Sequence, residues 1–195
     1  MNKNIKVILF DLGRVLMHID FDAFPNGLGL FTEEQRAPYA APTKKLIPLY
    51  ETGKMTTEEF LDALYVAFDC RFSKEQILEA FNGIICEDNL EIVPLVQKLQ
   101  RQYTIAVLSN TCECHWDKAL KISPLLRSIP NHFTSFHLGV MKPDRIIYEK
   151  VCASLSVQPN EVLFIDDLKV NVDGAITAGM QGIVFTNAKA LEVQL

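Results

Sequence analysis

Short apolar runs punctuate this chain, and most of them stop abruptly at small or polar residues. Residues 7–10 (VILF) end at Asp11, 103–108 (YTIAVL) at Ser109-Asn110, and 162–165 (VLFI) at Asp166-Asp167. Residues 182–185 (GIVF) form a further run, and 132–138 alternates more weakly before Gly139. Short β-branched and apolar runs of this kind predict buried strands. Helical spacing occupies 90–101, 144–155 and 171–178, the last stopped by Gly179, a natural C-terminal cap. Strand and helix in alternation predict a parallel sheet flanked by helices.

The stretch 16–89 reads differently. It offers no convincing strand but has two capping boxes, Thr56-x-x-Glu59 and Ser73-x-x-Gln76, each ahead of apolar residues at helical spacing. Pro25, Pro38, Pro42 and Pro48 are expected to break its first part into short pieces. The predicted plan is α/β: a Rossmann-like parallel-sheet core, 1–15 and 90–195, with a small helical cap inserted at 16–89.

Composition narrows the function classes. The chain has 195 residues, 49% hydrophobic and 22% charged, enough to bury a sizeable core. Its net charge of −5 argues against nucleic acid as a partner, which needs a concentrated basic surface. A small anionic metabolite remains open, because a cleft can carry a local field of opposite sign. No apolar run is long enough to span a bilayer, and Asp11 cuts the N-terminal run too early for a signal peptide. Five cysteines at unpatterned spacing suggest a reducing, cytoplasmic setting.

In an open α/β sheet, ligands bind beyond the carboxyl ends of the strands. Asp11, Ser109-Asn110-Thr111, Met141-Lys142-Pro143 and Asp166-Asp167 all fall at such ends. Each alone reads as a turn or cap. Together they form a complete chemical set. A carboxylate can attack phosphorus only if its repulsion from the phosphate is neutralised. Paired acids recruit Mg²⁺, a hard cation that prefers oxygen, while a lysine and turn N–H groups hold phosphoryl oxygens.

Phe10-Asp11-Leu12-Gly13-x-Val15, Leu108-Ser109-Asn110-Thr111, Lys142-Pro143, and Asp166-Asp167 with Asn171 follow one another in this order. The series resembles the four signatures of the haloacid dehalogenase-like hydrolase superfamily. The position of the insert resembles that of its first type of helical cap. Leu49-Tyr50-Glu51-Thr52-Gly53, Gly139-Val140-Met141-Lys142-Pro143-Asp144 and Ile147-Tyr148 are similar to the bacterial α-D-glucose-1-phosphate phosphatases.

The resemblance implies a Mg²⁺-dependent phosphatase that works through an aspartyl-phosphate on a small phosphorylated metabolite, such as a sugar phosphate. It makes Asp11 the nucleophile and a metal ligand, with the Gly13 carbonyl and Asp167 as further ligands. Asp166 and Asn171 would hold metal-bound water or orient Asp167. Ser109 and the Asn110 amide would grip phosphate, and Lys142 would neutralise both Asp11 and the phosphate.

One position departs from the wider pattern. Most phosphatases of the superfamily carry an acid two residues after the nucleophile, whereas here stands Gly13. Three explanations are open: a leaving group of low pKa, slow turnover, or a substitute group, with His18, Asp20 and Asp22 nearby in sequence. The rival functions are a metal-independent haloacid dehalogenase-type hydrolase, which the paired acids at 166–167 disfavour, and a module that binds a phosphorylated ligand with little turnover. A mutase would lack its proton shuttle at position 13. Tyr50, Glu51 and Lys54 cluster at a break between cap helices and are the candidate substrate contacts. Cys112-x-Cys114-His115 lacks a second ligand pair at zinc-like spacing and reads as flanking the site entrance.

Overall fold

The structure, a computed structural model, describes residues 4–195, so the first three residues of the expected core lie outside it. Its strands are β1 (Val7–Phe10), β2 (Met17–Ile19), β3 (Ile85–Asp88), β4 (Thr104–Ser109), β5 (Asn131–Thr134), β6 (Val162–Asp166) and β7 (Gln181–Val184). Helices α1 (Ala23–Gly27), α2 (Glu33–Glu51), α3 (Thr57–Ala67) and α4 (Lys74–Asn82) lie between β2 and β3. Then come α5 (Val93–Leu99), α6 (Glu113–Ile122), α7 (Pro124–Ser128), α8 (Ser135–Leu138), α9 (Arg145–Leu155), α10 (Lys169–Thr177) and α11 (Ala188–Gln194).

Five strands form one sheet in the order β5-β4-β1-β6-β7, and every pairing in it is parallel. Alternate residues of the central strand serve two cores. Ile8 and Phe10 pack with Ile105, Val107, Leu163 and Ile165 on one face. Val7 and Leu9 pack with Ala106, Leu108, Val162 and Phe164 on the other. A strand covered on both sides must be apolar at every position, which is why VILF shows no alternation. This is the α/β, Rossmann-like architecture expected, with helices inserted after the first strand.

Three expectations are corrected. The insert region contains strands after all: β2 and β3 pair antiparallel and bring Met17 opposite Asp88. The prolines at 38, 42 and 48 do not break the chain but lie inside the 19-residue α2. Pro38 and Pro48 sit at exposed positions, where a carbonyl left without its helical partner is open to hydration, and Pro42 is half-buried. The helix also has a strong start, a Thr32–Gln35 capping box that the sequence reading passed over. Finally, the weak run at 132–138 divides into β5 and the single turn of α8, which ends at Gly139 with φ 72°. The capping boxes at Thr56 and Ser73 form as expected.

The insert is fastened to the core at several points. From α6, His115 Nε2 pairs with the Phe81 carbonyl at 2.9 Å and Lys118 Nζ donates to the Asn82 carbonyl at 2.6 Å. Tyr50, at the end of α2, accepts from the Cys114 N–H at 3.3 Å and shares a 2.7 Å hydrogen bond with Thr57. Next to it Gly53 turns with φ 66°, and a Cβ there would collide with the Phe136 carbonyl. Gly53→Ala is therefore expected to lower stability by about 1–3 kcal/mol, read as a fall in thermal midpoint. An unchanged midpoint would mean that this contact does not hold the insert down.

Candidate active site

The carboxyl ends of β1, β4 and β6 converge on one buried ammonium. Lys142 Nζ donates to Asp11 Oδ1 at 2.7 Å, to Asp166 Oδ2 at 2.6 Å and to the Leu108 carbonyl at 3.1 Å. The carboxylates of Asp11, Asp166 and Asp167 supply oxygens within 4.8 Å of one another. Four distant sequence segments thus meet because parallel strands present their ends on the same side of a sheet.

Neighbouring groups fix each member. Asn110 uses its whole side-chain amide on the Lys142 backbone: Nδ2 donates to the Lys142 carbonyl at 3.0 Å, and Oδ1 accepts from its N–H at 2.8 Å. Helix α10 comes close to the same loop because residue 174 is glycine; a Cβ there would lie 2.7 Å from the Pro143 carbonyl. Asp166 is fully buried and accepts from the Leu168 N–H at 2.8 Å and from Asn171 Nδ2 at 3.0 and 3.1 Å. Asn171 therefore reaches Asp166, and no hydrogen bond joins it to Asp167 among the described residues. Tyr148 holds the Asn171 carbonyl at 2.7 Å. The Ser135 hydroxyl donates to the Thr111 carbonyl at 3.0 Å and accepts from its N–H at 2.9 Å, pinning the loop after β4.

Electrostatics follow from burial. Desolvation raises the Asp11 carboxyl to about 6, against the pull of Lys142 and with a push from Asp166. Burial works against the Lys142 ammonium, yet Asp11 and Asp166 together hold its pKa above the ordinary lysine value. Asp167 is raised by burial and by Asp166, and is partly relieved by Arg14, whose Nη1 lies 3.9 Å from Oδ2. The site is rich in oxygen donors and short of cations.

The remaining candidates separate. Ser109 is buried, and its hydroxyl has only a 3.5 Å contact to the next carbonyl. Tyr50 is buried, stacked on Phe60 with ring centroids 4.4 Å apart, and its hydroxyl is occupied by Thr57 and Cys114. Glu51 is half-buried and feels the Lys142 charge, whereas Lys54 is exposed. Asp22 is taken by Arg36 at 2.7 Å, and exposed His18 lines a different pocket with Arg14, Glu87 and Asn187. Cys112 and Cys114 place their sulfurs 3.8 Å apart beside His115, whose Nε2 is held by Phe81. The sequence reading missed Ser135 and Tyr148 as supports of the site. Ser135 carries no local signal and Tyr148 only its place in the Ile147-Tyr148 likeness, since each acts on a segment more than twenty residues away.

A family model described as haloacid dehalogenase-like hydrolase matches residues 5–179. The chain belongs to that family. Among curated members, it is 28% identical over 177 residues to a D-ribitol-5-phosphate phosphatase of Bacteroides thetaiotaomicron, covering 86% of this chain and 85% of that one. It is also 30% identical over 137 residues to (S)-2-haloacid dehalogenase 4A of Burkholderia cepacia, covering 68% and 58% respectively. Its fold matches a haloacid dehalogenase family enzyme of Bacteroides thetaiotaomicron with a TM-score of 0.86 at 24% identity, over 95% of each chain. The wild-type form of that enzyme, solved with magnesium and inorganic phosphate, superposes with a TM-score of 0.82 over 94% of this chain and 95% of that one. The haloacid dehalogenase-like assignment agrees with the four-motif resemblance. The polyol-phosphate relative gives the narrower glucose-1-phosphate likeness no separate support.

Proposed function

We propose that this protein is a Mg²⁺-dependent phosphatase acting on a small sugar or polyol phosphate through a phosphoryl group carried on Asp11. The observation that carries the reading is one ammonium, Lys142, set between Asp11 and Asp166, with the Asp167 carboxylate alongside. Closely spaced carboxylates are hard oxygen donors and fit Mg²⁺ better than a softer metal. Asp11, the Gly13 carbonyl and Asp167 would hold the ion, with Asp166 beside them. When bound, it supplies charge neutralisation and a template for in-line displacement.

The Asp11 oxygen attacks phosphorus as the bond to the leaving alcohol breaks. Lys142 offsets the charge of Asp11 and of the arriving phosphoryl group, and Asp166, Asn110 and the Leu108 carbonyl keep it in place. The Ser109 hydroxyl and the Asn110 N–H hold phosphoryl oxygens. Water then attacks the phosphorus and frees phosphate and the Asp11 carboxylate. The insert at 16–89 acts as the cap that covers this chemistry. Its exposed Lys54 is available to the part of the substrate remote from phosphorus. Among the described residues no helix is long and apolar enough to cross a membrane. The cysteines are all free thiols, which supports a reducing compartment.

A screen of sugar and polyol phosphates tests the reading. Phosphate release should vanish in chelator and return with added Mg²⁺. The dehalogenase relative gives the rival reading an observation of its own. Halide release from a 2-haloacid in chelator, with no phosphate release under any metal condition, would overturn the phosphatase.

A further inference from the structure

Gly13 leaves the departing alcohol without a proton from the residue that usually supplies it. We infer that the Glu51 carboxyl takes over this task, protonating the leaving oxygen and then accepting a proton from the water that attacks the Asp11-bound phosphoryl group. The inference rests on the phosphatase reading above. Atoms balance: one proton goes from Glu51 to the alcohol, one returns from water, and phosphate leaves with the remaining hydroxyl.

Placement carries the argument. On one side of Glu51, the Tyr50 hydroxyl accepts from Cys114, three residues past Thr111 in the chain that follows β4. On the other, the Gly53 backbone lies against Phe136, the neighbour of the Ser135 that bonds Thr111. One anchor grips the first turn of α6 and the other grips α8, the two helices that border the turn after β4, and Glu51 between them is near enough to the site to feel the Lys142 charge. Its carboxyl is half-buried and has no hydrogen-bond partner among the described residues. Other acids are engaged elsewhere: Asp22 with Arg36, Asp20 with the Asp22 N–H, and Asp166 with Lys142, Leu168 and Asn171.

The environment suits the task. Burial pushes the Glu51 carboxyl up to about 7, with Lys142 pulling the other way. A group that titrates near neutrality is well matched to giving and taking a proton at that pH. The ionisable groups facing it are Lys142, held charged by two carboxylates, and Cys112, whose thiol burial pushes up. Neither changes charge near pH 7.

The test compares wild type, Asp11→Asn, Glu51→Gln and Glu51→Asp on the best alkyl phosphate of the screen and on 4-nitrophenyl phosphate, whose leaving oxygen needs no proton. With Glu51→Gln, kcat/KM for the alkyl phosphate should fall about 100- to 10 000-fold while that for the aryl phosphate stays within about threefold. The aryl reaction should also show a burst of nitrophenolate, because the water step has lost its base. In wild type, kcat/KM for the alkyl phosphate should decline above pH 7. Glu51→Gln should lose that limb, and Glu51→Asp should keep it at a lower rate. Equal losses on both substrates, or a limb that survives Glu51→Gln, would overturn the role of Glu51 alone. Phosphate release undiminished by Asp11→Asn would overturn the phosphatase reading and this inference with it.

Discussion

Asp11→Asn should reduce phosphate release on the order of 10⁵-fold, the scale of losing the nucleophile of a hydrolase. The substitution is isosteric and keeps an oxygen able to accept from Lys142, so it removes the attacking charge and little else. It should not weaken the fold. In the metal-free protein, burial outweighs the attraction of Lys142 and holds the Asp11 carboxyl up at about 6. An acid whose folded pKa exceeds its unfolded one loses stability as pH rises between the two values. Above pH 6 the folded protein carries that cost in full, and asparagine has no charge to desolvate. The thermal midpoint of Asp11→Asn in chelator at pH 7 should therefore be no lower than that of wild type. A variant that loses activity together with ten degrees of midpoint would indicate a structural residue and not a nucleophile.

The parts of this site that the sequence makes legible are those whose constraint is local. Strands β1, β4 and β6 are buried on both faces, so their apolar runs are continuous, and the acids and amides that stop them are conspicuous. What was illegible depends on distance or on water. Strands β2 and β3 have three and four residues, too short for a period, and their pairing joins positions nearly seventy residues apart. Helix α2 contradicts a local rule because two of its three prolines are exposed, where a forfeited helical hydrogen bond can be made good by solvent. At the cap hinge, three neighbouring residues looked alike as substrate contacts. Packing distinguishes them: Tyr50 is an anchor, Glu51 a half-buried acid and Lys54 an exposed cation. No pattern in Tyr50-Glu51-Thr52-Gly53-Lys54 encodes that division, since it is set by where Cys114 and Phe136 lie.

Lys142→Ala tests the opposite relation between function and fold. Here one side chain serves both, because the ammonium that offsets repulsion during phosphoryl transfer also keeps Asp11 and Asp166 from being unpaired charges in a buried space. Removing one partner of a buried ion pair costs about 3–5 kcal/mol. For a chain of this size, that lowers the midpoint by roughly 10 °C. Phosphate release should be lost as well. Packing loss and charge loss separate by pH. Without the lysine, the Asp11 carboxyl loses the attraction that holds it down and is pushed further up, so the variant binds a proton on folding and is least disadvantaged in acid. The midpoint gap between wild type and Lys142→Ala should be clearly smaller at pH 5 than at pH 8. Adding Asp166→Asn should recover part of the stability at pH 8 without restoring turnover, since one of the uncompensated charges is gone but the phosphoryl group still has no ammonium to meet. A gap of equal size at both pH values would trace the damage to the missing four-carbon stem, whose ammonium lies 5.4 Å from the centre of the Phe164 ring, and would remove the charge argument from the mechanism.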